Sequence, residues 1–164
     1  MTTYSCAVLT ISDKGAAGQR LDTSGPALLE MLAAAGFRTG TAAMVADEIT
    51  AIADVLRDWI DQQHIDLIVT TGGTGLSPRD VTPEATLPLL DRVIPGISEV
   101  MRLASLTKTP HAALSRGLAG IRGQSLVINL PGSKRGATEN LDAVLPILQH
   151  ALEKIKGEPG DCGG

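Results

Sequence analysis

A glycine-rich segment that joins a strand-like run to a helix start constrains this fold more than any other feature of the chain. The apolar run at residues 65–69 has the length and composition of a buried strand. It leads directly into Thr70, Thr71, Gly72, Gly73, Thr74 and Gly75. Thr82 and Pro83 then mark the start of a helix. The chain therefore passes from strand to helix through a glycine turn, as the units of an α/β fold do.

The same segment has the features of an anion site. Gly72, Gly73 and Gly75 let backbone amides approach a ligand without interference from Cβ atoms. The helix start adds unpaired N–H groups and the positive end of the helix dipole. Asp80 lies between the glycines and the helix, where a metal ion could bridge its carboxylate to a phosphate. Because open α/β sheets bind ligands at the carboxyl ends of their strands, we expect a ligand at this junction.

Strands and helices alternate along the rest of the chain. Apolar, β-rich runs predict strands at residues 4–11, 37–45, 65–71 and 125–130. Helical signals predict helices that begin at Ser24, after Asp47, at Thr82, at Ile97 and at about Thr138. Pro146 is expected to kink the last helix or to mark its true start. We therefore expect an α/β fold of three layers, with a mostly parallel central sheet and helices on both faces.

Length and composition limit the class of protein. The 164 residues suffice for one domain, whose core must be filled by aliphatic side chains because only 2% of the residues are aromatic. The net charge of −4 argues against a general nucleic-acid binder, since such proteins carry a basic face. Neither a signal peptide nor an apolar run near the roughly 20 residues of a membrane span is visible. We expect a cytoplasmic protein without nucleic-acid or membrane partners.

The C-terminal residues differ in composition from the rest of the chain. Residues 157–164 are rich in glycine, and we expect them to form a flexible tail behind a domain at residues 1–156. Cys162 lies in this tail and Cys6 lies near the other end, without the spacing of a metal site. Two free thiols in a reducing compartment are the expected state.

Polar or glycine-rich sequence follows four of the predicted strands. These stretches hold Ser12 and Asp13, Asp47 and Glu48, the glycines that precede Asp80, and Pro131, Gly132 and Ser133. Because the carboxyl ends of parallel strands share one edge, we expect the four stretches to line a single cleft. Glycine loops for phosphates, with Asp47 and Asp80 for Mg²⁺, suit phosphoryl or nucleotidyl transfer. Arg79, Lys134 and Arg135 could add positive charge near the phosphates.

Three common site types are absent from the sequence. The glycines are not followed by the Gly-Lys-Ser/Thr of a Walker loop, and they lack the Gly-x-Gly-x-x-Gly spacing of dinucleotide folds. A Gly-x-Ser-x-Gly nucleophile elbow does not occur either. A hydrolase therefore has little support, and the glycine loop must hold phosphate in another way.

Residues 70–86 resemble the signature of the molybdopterin adenylyltransferases and the related bacterial molybdenum cofactor biosynthesis proteins of the MogA and MoaB type. Matching motifs elsewhere are Thr10-Ile11-Ser12-Asp13, Asp22-Thr23-Ser24-Gly25, Asp47-Glu48, Pro95-Gly96-Ile97-Ser98-Glu99, Leu114-Ser115-Arg116 and Leu130-Pro131-Gly132-Ser133. They occur in the family's order over residues 4–155. The same domain occurs in the molybdate-insertion enzyme and in relatives with other or no known catalysis.

The resemblance implies an α/β domain that forms a homotrimer and binds molybdopterin, a pterin dithiolene with a terminal phosphate. That phosphate would attack the α-phosphorus of MgATP, giving adenylylated molybdopterin and pyrophosphate. Carried over position by position, Asp80 matches the family's essential carboxylate and Asp47 its second one, and both would hold Mg²⁺. The nucleotide and pterin phosphates would be bound by Gly72, Gly73, Thr74, Gly75, Pro131, Gly132 and Ser133, with Ser12 and Asp13 at the same edge. The molybdate-insertion enzyme is a further expected partner.

Alternatives stay open at this point for the chain and for several residues. A protein of this fold could bind molybdopterin as a non-catalytic scaffold, or could transfer a nucleotide to a different phosphate monoester. Asp80 could merely stabilise a helix dipole, Asp47 could cap the helix that follows it, and Ser133 could be a turn residue that caps a helix. The sequence does not decide between binding, interface and surface roles for Ser105, Lys134, Arg135 and Cys162.

Overall fold

The computed structural model describes residues 2–157, and its centre is a six-stranded sheet. The strands are β1 (Ser5–Ile11), β2 (Arg38–Val45), β3 (Leu67–Thr71), β4 (Arg92–Val93), β5 (Ala119–Arg122) and β6 (Ser125–Leu130). They lie in the order β2-β1-β3-β6-β5-β4. The first four of these run parallel, and β5 is antiparallel to both of its neighbours. The predicted mostly parallel α/β sheet is therefore confirmed.

Helices cover both faces of this sheet. They are α1 (Asp13–Ala16), α2 (Ser24–Ala34), α3 (Ile49–Arg57), α4 (Thr82–Thr86), α5 (Pro95–Leu106) and α6 (Lys134–Ile155). A π-helical turn at Asp58–Gln62 extends α3, and 3₁₀ turns occupy Leu87–Leu89 and Pro110–Leu114. The buried side chains of α2, α5 and α6 pack on one face, and those of α3 and α4 pack on the other. The result is the expected fold of three layers.

The core follows from the alternation of side chains along the strands. In β1, Cys6 and Val8 pack into the layer of α2, α5 and α6, whereas Ala7 and Leu9 pack into the layer of α3 and α4. Successive residues of a strand point to opposite faces, so one apolar strand supplies both cores. Each large aliphatic side chain that is fully buried here contributes roughly 1.5–3 kcal/mol. The sheet is thereby held rigidly between its two helical layers.

The register of the parallel strands brings their carboxyl ends to one edge. Ile11 of β1 is opposite Val45 of β2, and Thr10 is opposite Thr71 of β3. Thr71 is in turn opposite Leu130 of β6. The four segments that follow these strands therefore leave the sheet side by side, as the sequence predicted.

The last helix and the two antiparallel strands differ from the prediction. The helix expected from about Thr138 begins at Lys134, because Ser133 caps it and accepts a 3.1 Å hydrogen bond from the amide of Gly136. Pro146 lies inside this helix and does not mark its start, since α6 keeps one face buried on both sides of the proline. The antiparallel strands β4 and β5 were not predicted at all, because they are short and contain exposed or glycine residues.

The ends of the chain add little to this picture. Most of the predicted flexible tail, including Cys162, lies outside the described residues. Cys6 is buried, and burial raises the pKa of its thiol to about 11. In the part of the chain that the structure describes, no helix is both long and apolar enough to cross a membrane.

Candidate functional site

A cavity of about 700 Å³ opens at the edge where the four parallel strands end. Each of the four following segments contributes to its wall. The predicted residues in this wall are Ser12, Asp47, Gly72, Gly73, Asp80, Gly132 and Ser133. The expected cleft at the strand ends is therefore present, with two glycine loops and the carboxylates of Asp47 and Asp80 among the groups around it.

A second cavity of about 430 Å³ adjoins the first on the side of α5 and α6. The predicted residues Thr74, Gly75 and Pro131 line this cavity. Both cavities share a wall formed by Gly73, Asp80, Gly132 and Ser133. Asp80 therefore lies where the two cavities meet. The volumes of both cavities are within the size range of small-molecule pockets.

The glycine loop adopts a backbone conformation in which other residues would be strained. Gly72 has φ of 105° and Gly73 has φ of 66°, in the left-handed region that favours glycine. A Cβ atom on Gly72 would lie only 2.2 Å from the carbonyl oxygen of Ile11. Among the described residues, none accepts a hydrogen bond from the amides of Gly73, Thr74 or Gly75. These consecutive donors are available to an anion.

The carboxylate of Asp80 is turned toward the loop rather than toward the helix behind it. Its Oδ2 accepts a 2.9 Å hydrogen bond from the amide of Ser77, and its own amide donates to the Ser77 carbonyl at 2.9 Å. Helix α4 begins two residues later, and none of its amides donates to Asp80. The Asp80 carboxylate therefore makes no hydrogen bond to α4.

Asp47 does not cap α3, so the predicted capping role is wrong. Glu48 occupies the N-cap position and makes no side-chain capping bond. The Oδ2 atom of Asp47 instead accepts a 2.9 Å bond from the amide of Asp13, while the amide of Asp47 donates to Asp13 Oδ1 at 3.0 Å. Burial raises the pKa of the Asp47 carboxyl, and the neighbouring carboxylates of Asp13 and Asp80 raise it further.

Arg79 cross-links the loop to the ends of β1 and β2. Its Nε and Nη2 atoms donate to the two carboxylate oxygens of Asp13 at 3.0 and 2.9 Å, and Nη2 also donates to Glu48. This hydrogen-bonded pair lowers the pKa of the Asp13 carboxyl. We expected Arg79 to add positive charge near the phosphates. Its guanidinium instead forms ion pairs with Asp13 and Glu48.

The carboxylates of Asp47 and Asp80 suit a magnesium ion that is also coordinated by phosphate and water oxygens. They are too few for a metal ion that is coordinated by protein side chains alone. In both Asp47 and Asp80, the Oδ2 atom accepts a hydrogen bond from a backbone amide. No described residue donates a hydrogen bond to the Oδ1 atom of either side chain. Residues 2–157 contain no group of three or more His, Cys, Asp or Glu side chains arranged around a metal. Two carboxylates supplemented by phosphate and water oxygens are the usual ligand set of Mg²⁺.

The start of α6 lies beside both cavities, and among the described residues none accepts a hydrogen bond from the amides of Lys134 and Arg135. Ser133 lines each cavity and also caps this 22-residue helix, as the alternative interpretation of Ser133 had it. Lys134 lines the first cavity, whereas Arg135 pairs with Glu139 on the surface. A long helix with unpaired N-terminal amides favours a negatively charged ligand at this point.

Several wall residues were not assigned to the site from the sequence, and Asp22 and Asn140 are two of them. Asp22 accepts a 2.6 Å bond from Thr10 Oγ1 and holds the first amides of α2, which fixes one wall of the first cavity. Asn140 donates to Ser105 Oγ at 2.9 Å, and both line the second cavity. Asp22 belongs to a motif that resembles the family, which was the available signal for it. No local signal distinguished Asn140 from other polar residues of a helix.

Comparisons with known proteins agree with this architecture. A family model described as "Probable molybdopterin binding domain" matches residues 7–150. The molybdopterin adenylyltransferase of Helicobacter pylori strain J99 is 42% identical to the chain over 96% of the chain and 90% of that protein. The structure of the molybdopterin biosynthesis enzyme MoaB from Thermus thermophilus is 53% identical, with a TM-score of 0.91 over 97% of this chain and 100% of that one.

The same unit also occurs as part of longer proteins. The molybdenum cofactor synthesis protein cinnamon of Drosophila melanogaster is 43% identical over 94% of this chain, yet the chain spans only 26% of that protein. Sequence, fold and strand-end cleft lead to one assignment. The chain belongs to the molybdenum cofactor biosynthesis family that is defined by this molybdopterin-binding domain.

Proposed function

We propose that the chain is a molybdopterin adenylyltransferase. The terminal phosphate of molybdopterin would attack the α-phosphorus of ATP, forming a new phosphorus–oxygen bond while the bond to the departing pyrophosphate breaks. The observation that carries this proposal is the place of Asp80 in the shared wall of two adjoining cavities. Relatives named for this activity, with 42% identity over most of the chain, support it.

Two adjoining cavities suit a reaction between two phosphate-bearing substrates. At about 700 and 430 Å³, they offer separate space for a nucleotide and for a phosphorylated pterin. The reacting phosphates would then meet at the shared wall of Gly73, Asp80, Gly132 and Ser133. Holding two reactants in contact at one point is itself a large part of the catalytic effect.

The chain's own groups would bind and orient the phosphates. The free amides of Gly73, Thr74 and Gly75 would donate to phosphate oxygens, and the start of α6 at Ser133 would add the positive end of a helix dipole. Ser12 and Asp13 would contribute to substrate binding at the same edge of the sheet. Mg²⁺ held by Asp47 and Asp80 would offset the charge that develops on the departing pyrophosphate.

The test is pyrophosphate release from MgATP in the presence of fresh molybdopterin. The wild-type protein should release pyrophosphate in stoichiometric amounts, and Asp80→Asn should release none while still binding molybdopterin. Asn keeps an acceptor for the Ser77 amide but removes the charge. Asp91→Asn is the matched control, because Asp91 also accepts a backbone amide bond, from Gly123 at 2.7 Å, and lines neither cavity.

The outcomes separate the alternatives. If wild-type protein binds molybdopterin but never releases pyrophosphate, the enzyme proposal fails and a non-catalytic molybdopterin-binding scaffold takes its place. Release that is equally fast with other phosphate monoesters would indicate a nucleotidyltransferase with a different acceptor. Activity of Asp80→Asn equal to that of Asp91→Asn would remove Asp80 from the catalytic machinery.

We further propose that residues 1–156 work as a molybdopterin-binding domain within a cytoplasmic homotrimer, with the molybdate-insertion enzyme as a partner. Val100, Leu103 and Leu106 of α5 are exposed at spacings of three residues, which supports contact between copies. Light scattering should give three times the 17.0 kDa of one chain, and Leu103→Glu should lower that mass. The mass of a single chain for the wild type would overturn the trimer.

A further inference from the structure

One arginine outside the predicted site ties together both ends of the loop that carries Asp80. The Nε atom of Arg116 donates to the carbonyl oxygen of Gly75 at 2.8 Å, and Nη2 donates to the carbonyl oxygen of Asp80 at 2.7 Å. The amide of Arg116 also donates to the carbonyl of Thr74 at 2.9 Å. The loop from residue 75 to residue 80 is therefore closed across its base by a single guanidinium.

Arg116 is itself held from two sides. Its guanidinium forms an ion pair with Glu84 of α4, which lowers the pKa of the Glu84 carboxyl. Behind it, Arg102 of α5 donates to the carbonyl of Gly117 at 3.2 Å. A Cβ atom on Gly117 would lie 2.8 Å from the Asn129 carbonyl, so this segment packs closely against β6. The bond from Arg102 and the close packing against β6 thus hold the backbone next to Arg116 in place.

The position of the Asp80 carboxylate depends on this closure. Within the loop, Asp80 and Ser77 bond to each other, but these contacts only fix the side chain relative to the loop itself. Arg79 ties the loop to Asp13 and Glu48 through its own side chain, whereas Arg116 ties the peptide group of Asp80 itself to the segment that precedes β5. Loss of the guanidinium would leave the carbonyls of Gly75 and Asp80 without this donor, and the backbone that carries the Asp80 carboxylate would lose a fixed contact.

We propose that Arg116 is the positioning residue that sets Asp80 for metal and nucleotide binding. The activity measurement that tests this inference rests on the proposed function. The metal-binding measurement does not depend on it. Lysine cannot replace arginine here, because one ammonium group cannot span two carbonyls and a carboxylate in a fixed fork. Arg116→Lys should therefore keep the charge and lose the positioning.

Arg122, the last residue of β5, supplies a matched control. Like Arg116, it forms an ion pair with a carboxylate, that of Asp61, and donates to a backbone carbonyl, that of Leu89 at 3.1 Å. The two side chains are similarly exposed, 34% for Arg116 and 30% for Arg122. Arg122 lines neither cavity, so Arg122→Lys measures what the loss of such contacts does to stability alone.

The experiment compares wild-type protein, Arg116→Lys, Arg122→Lys and Glu84→Gln. Pyrophosphate release is measured against Mg²⁺ concentration, and binding of Mn²⁺ with α,β-methylene ATP, which cannot release pyrophosphate, is measured by relaxation of water protons. In Arg116→Lys the Mg²⁺ concentration for half-maximal rate and the Mn²⁺ dissociation constant should both rise by roughly 10- to 100-fold. Glu84→Gln should change them in the same direction by less, and Arg122→Lys should leave them at the wild-type values.

The outcomes of this experiment distinguish the two proposals. If Arg116→Lys and Arg122→Lys have equal metal dependence and equal Mn²⁺ binding, Arg116 is a structural residue and the inference is overturned. Equal shifts in melting temperature for the two variants, with a metal defect in Arg116→Lys alone, support positioning. If the wild type releases no pyrophosphate, the proposed function fails, and the Mn²⁺ comparison still decides the role of Arg116.

Discussion

The hydroxyl of Thr82 donates a hydrogen bond of 2.8 Å to the carbonyl oxygen of Gly72. The amide of the same threonine donates to the carbonyl of Gly73 at 3.0 Å. The first residue of α4 therefore binds the carbonyls of both positive-φ glycines of this loop, Gly72 and Gly73. Because these carbonyls point toward the helix, the amides that follow are left free at the cleft.

Thr82→Val should destabilise the protein, and Thr82→Ser should not. Valine has the shape of threonine but lacks the hydroxyl, so the buried carbonyl of Gly72 would lose its partner at a cost of about 1–3 kcal/mol. Serine keeps the donor and removes only a methyl group. Urea unfolding of both variants measures the difference, and equal midpoints for valine and serine would mean that the hydrogen bond contributes nothing.

Gly72→Ala should be more damaging than an alanine at Gly96. At Gly72 the positive φ strains any other residue, and the new Cβ would overlap the Ile11 carbonyl at 2.2 Å, so we expect a loss of roughly 3 kcal/mol. Gly96 lies in the first turn of α5 with nothing within 4 Å of the added Cβ, and alanine favours helix. Thermal unfolding should show Gly96→Ala at or above wild-type stability. A Gly72→Ala protein of wild-type stability would show that the loop accommodates a side chain without strain.

The parts of the fold that were predictable have strong local signals. β3 and β6 are fully buried apolar runs, and glycines or prolines mark their ends, so their positions and the cleft beyond them follow from the sequence. β4 has only two residues, both exposed, and β5 contains a glycine, so no periodicity distinguished them. The sequence places the start of α6 too late because Gly136 weakens the helical pattern of its first turn.

The parts of the site that were missed depend on contacts between distant residues. An aspartate before a helix predicts an N-cap, but the oxygen of Asp47 is engaged by the amide of Asp13, 34 positions earlier. Arg116 donates to carbonyls 36 and 41 positions earlier, and no spacing in the sequence reports such a contact. Sequence patterns thus identified which segments meet, and only the tertiary structure identified which atoms bond.

Asp13→Ala should weaken metal-dependent turnover without removing a proposed metal ligand. The Asp13 carboxylate accepts a hydrogen bond from the Asp47 amide and binds Arg79, so its loss would free the backbone that carries Asp47, while the amide of residue 13 would still donate to the Asp47 carboxylate. The Mg²⁺ concentration for half-maximal pyrophosphate release should rise by roughly 10- to 100-fold. Asp54→Ala is the control, because Asp54 makes a similar 3.0 Å ion pair with Arg57 on the surface. An unchanged Mg²⁺ requirement in Asp13→Ala would show that Asp47 needs no such support.

Asp66 makes a network at the opposite end of the sheet that should give a measurable pH dependence of stability. Its Oδ2 atom accepts bonds from the amide and hydroxyl of Ser5 at 2.7 and 2.8 Å, and its Oδ1 atom pairs with Lys156. Burial acts to raise the pKa of the Asp66 carboxyl, but the bonds from Lys156 and Ser5 outweigh it, and the pKa is lowered. The ionised form is thus favoured by folding.

Asp66→Asn should therefore destabilise the protein at neutral pH and much less in acid. Because the pKa is lower in the folded than in the unfolded state, the stabilisation is complete above the unfolded value of about 3.9 and is lost as the pH falls through the folded value. The variant should be less stable by about 2 kcal/mol near pH 7, and this gap should narrow below about pH 4. Urea unfolding at several pH values measures it, with the exposed Asp54→Asn as a control that changes little at any pH. A gap that stays constant into acid would mean that the ionised carboxylate is not what Ser5 and Lys156 stabilise.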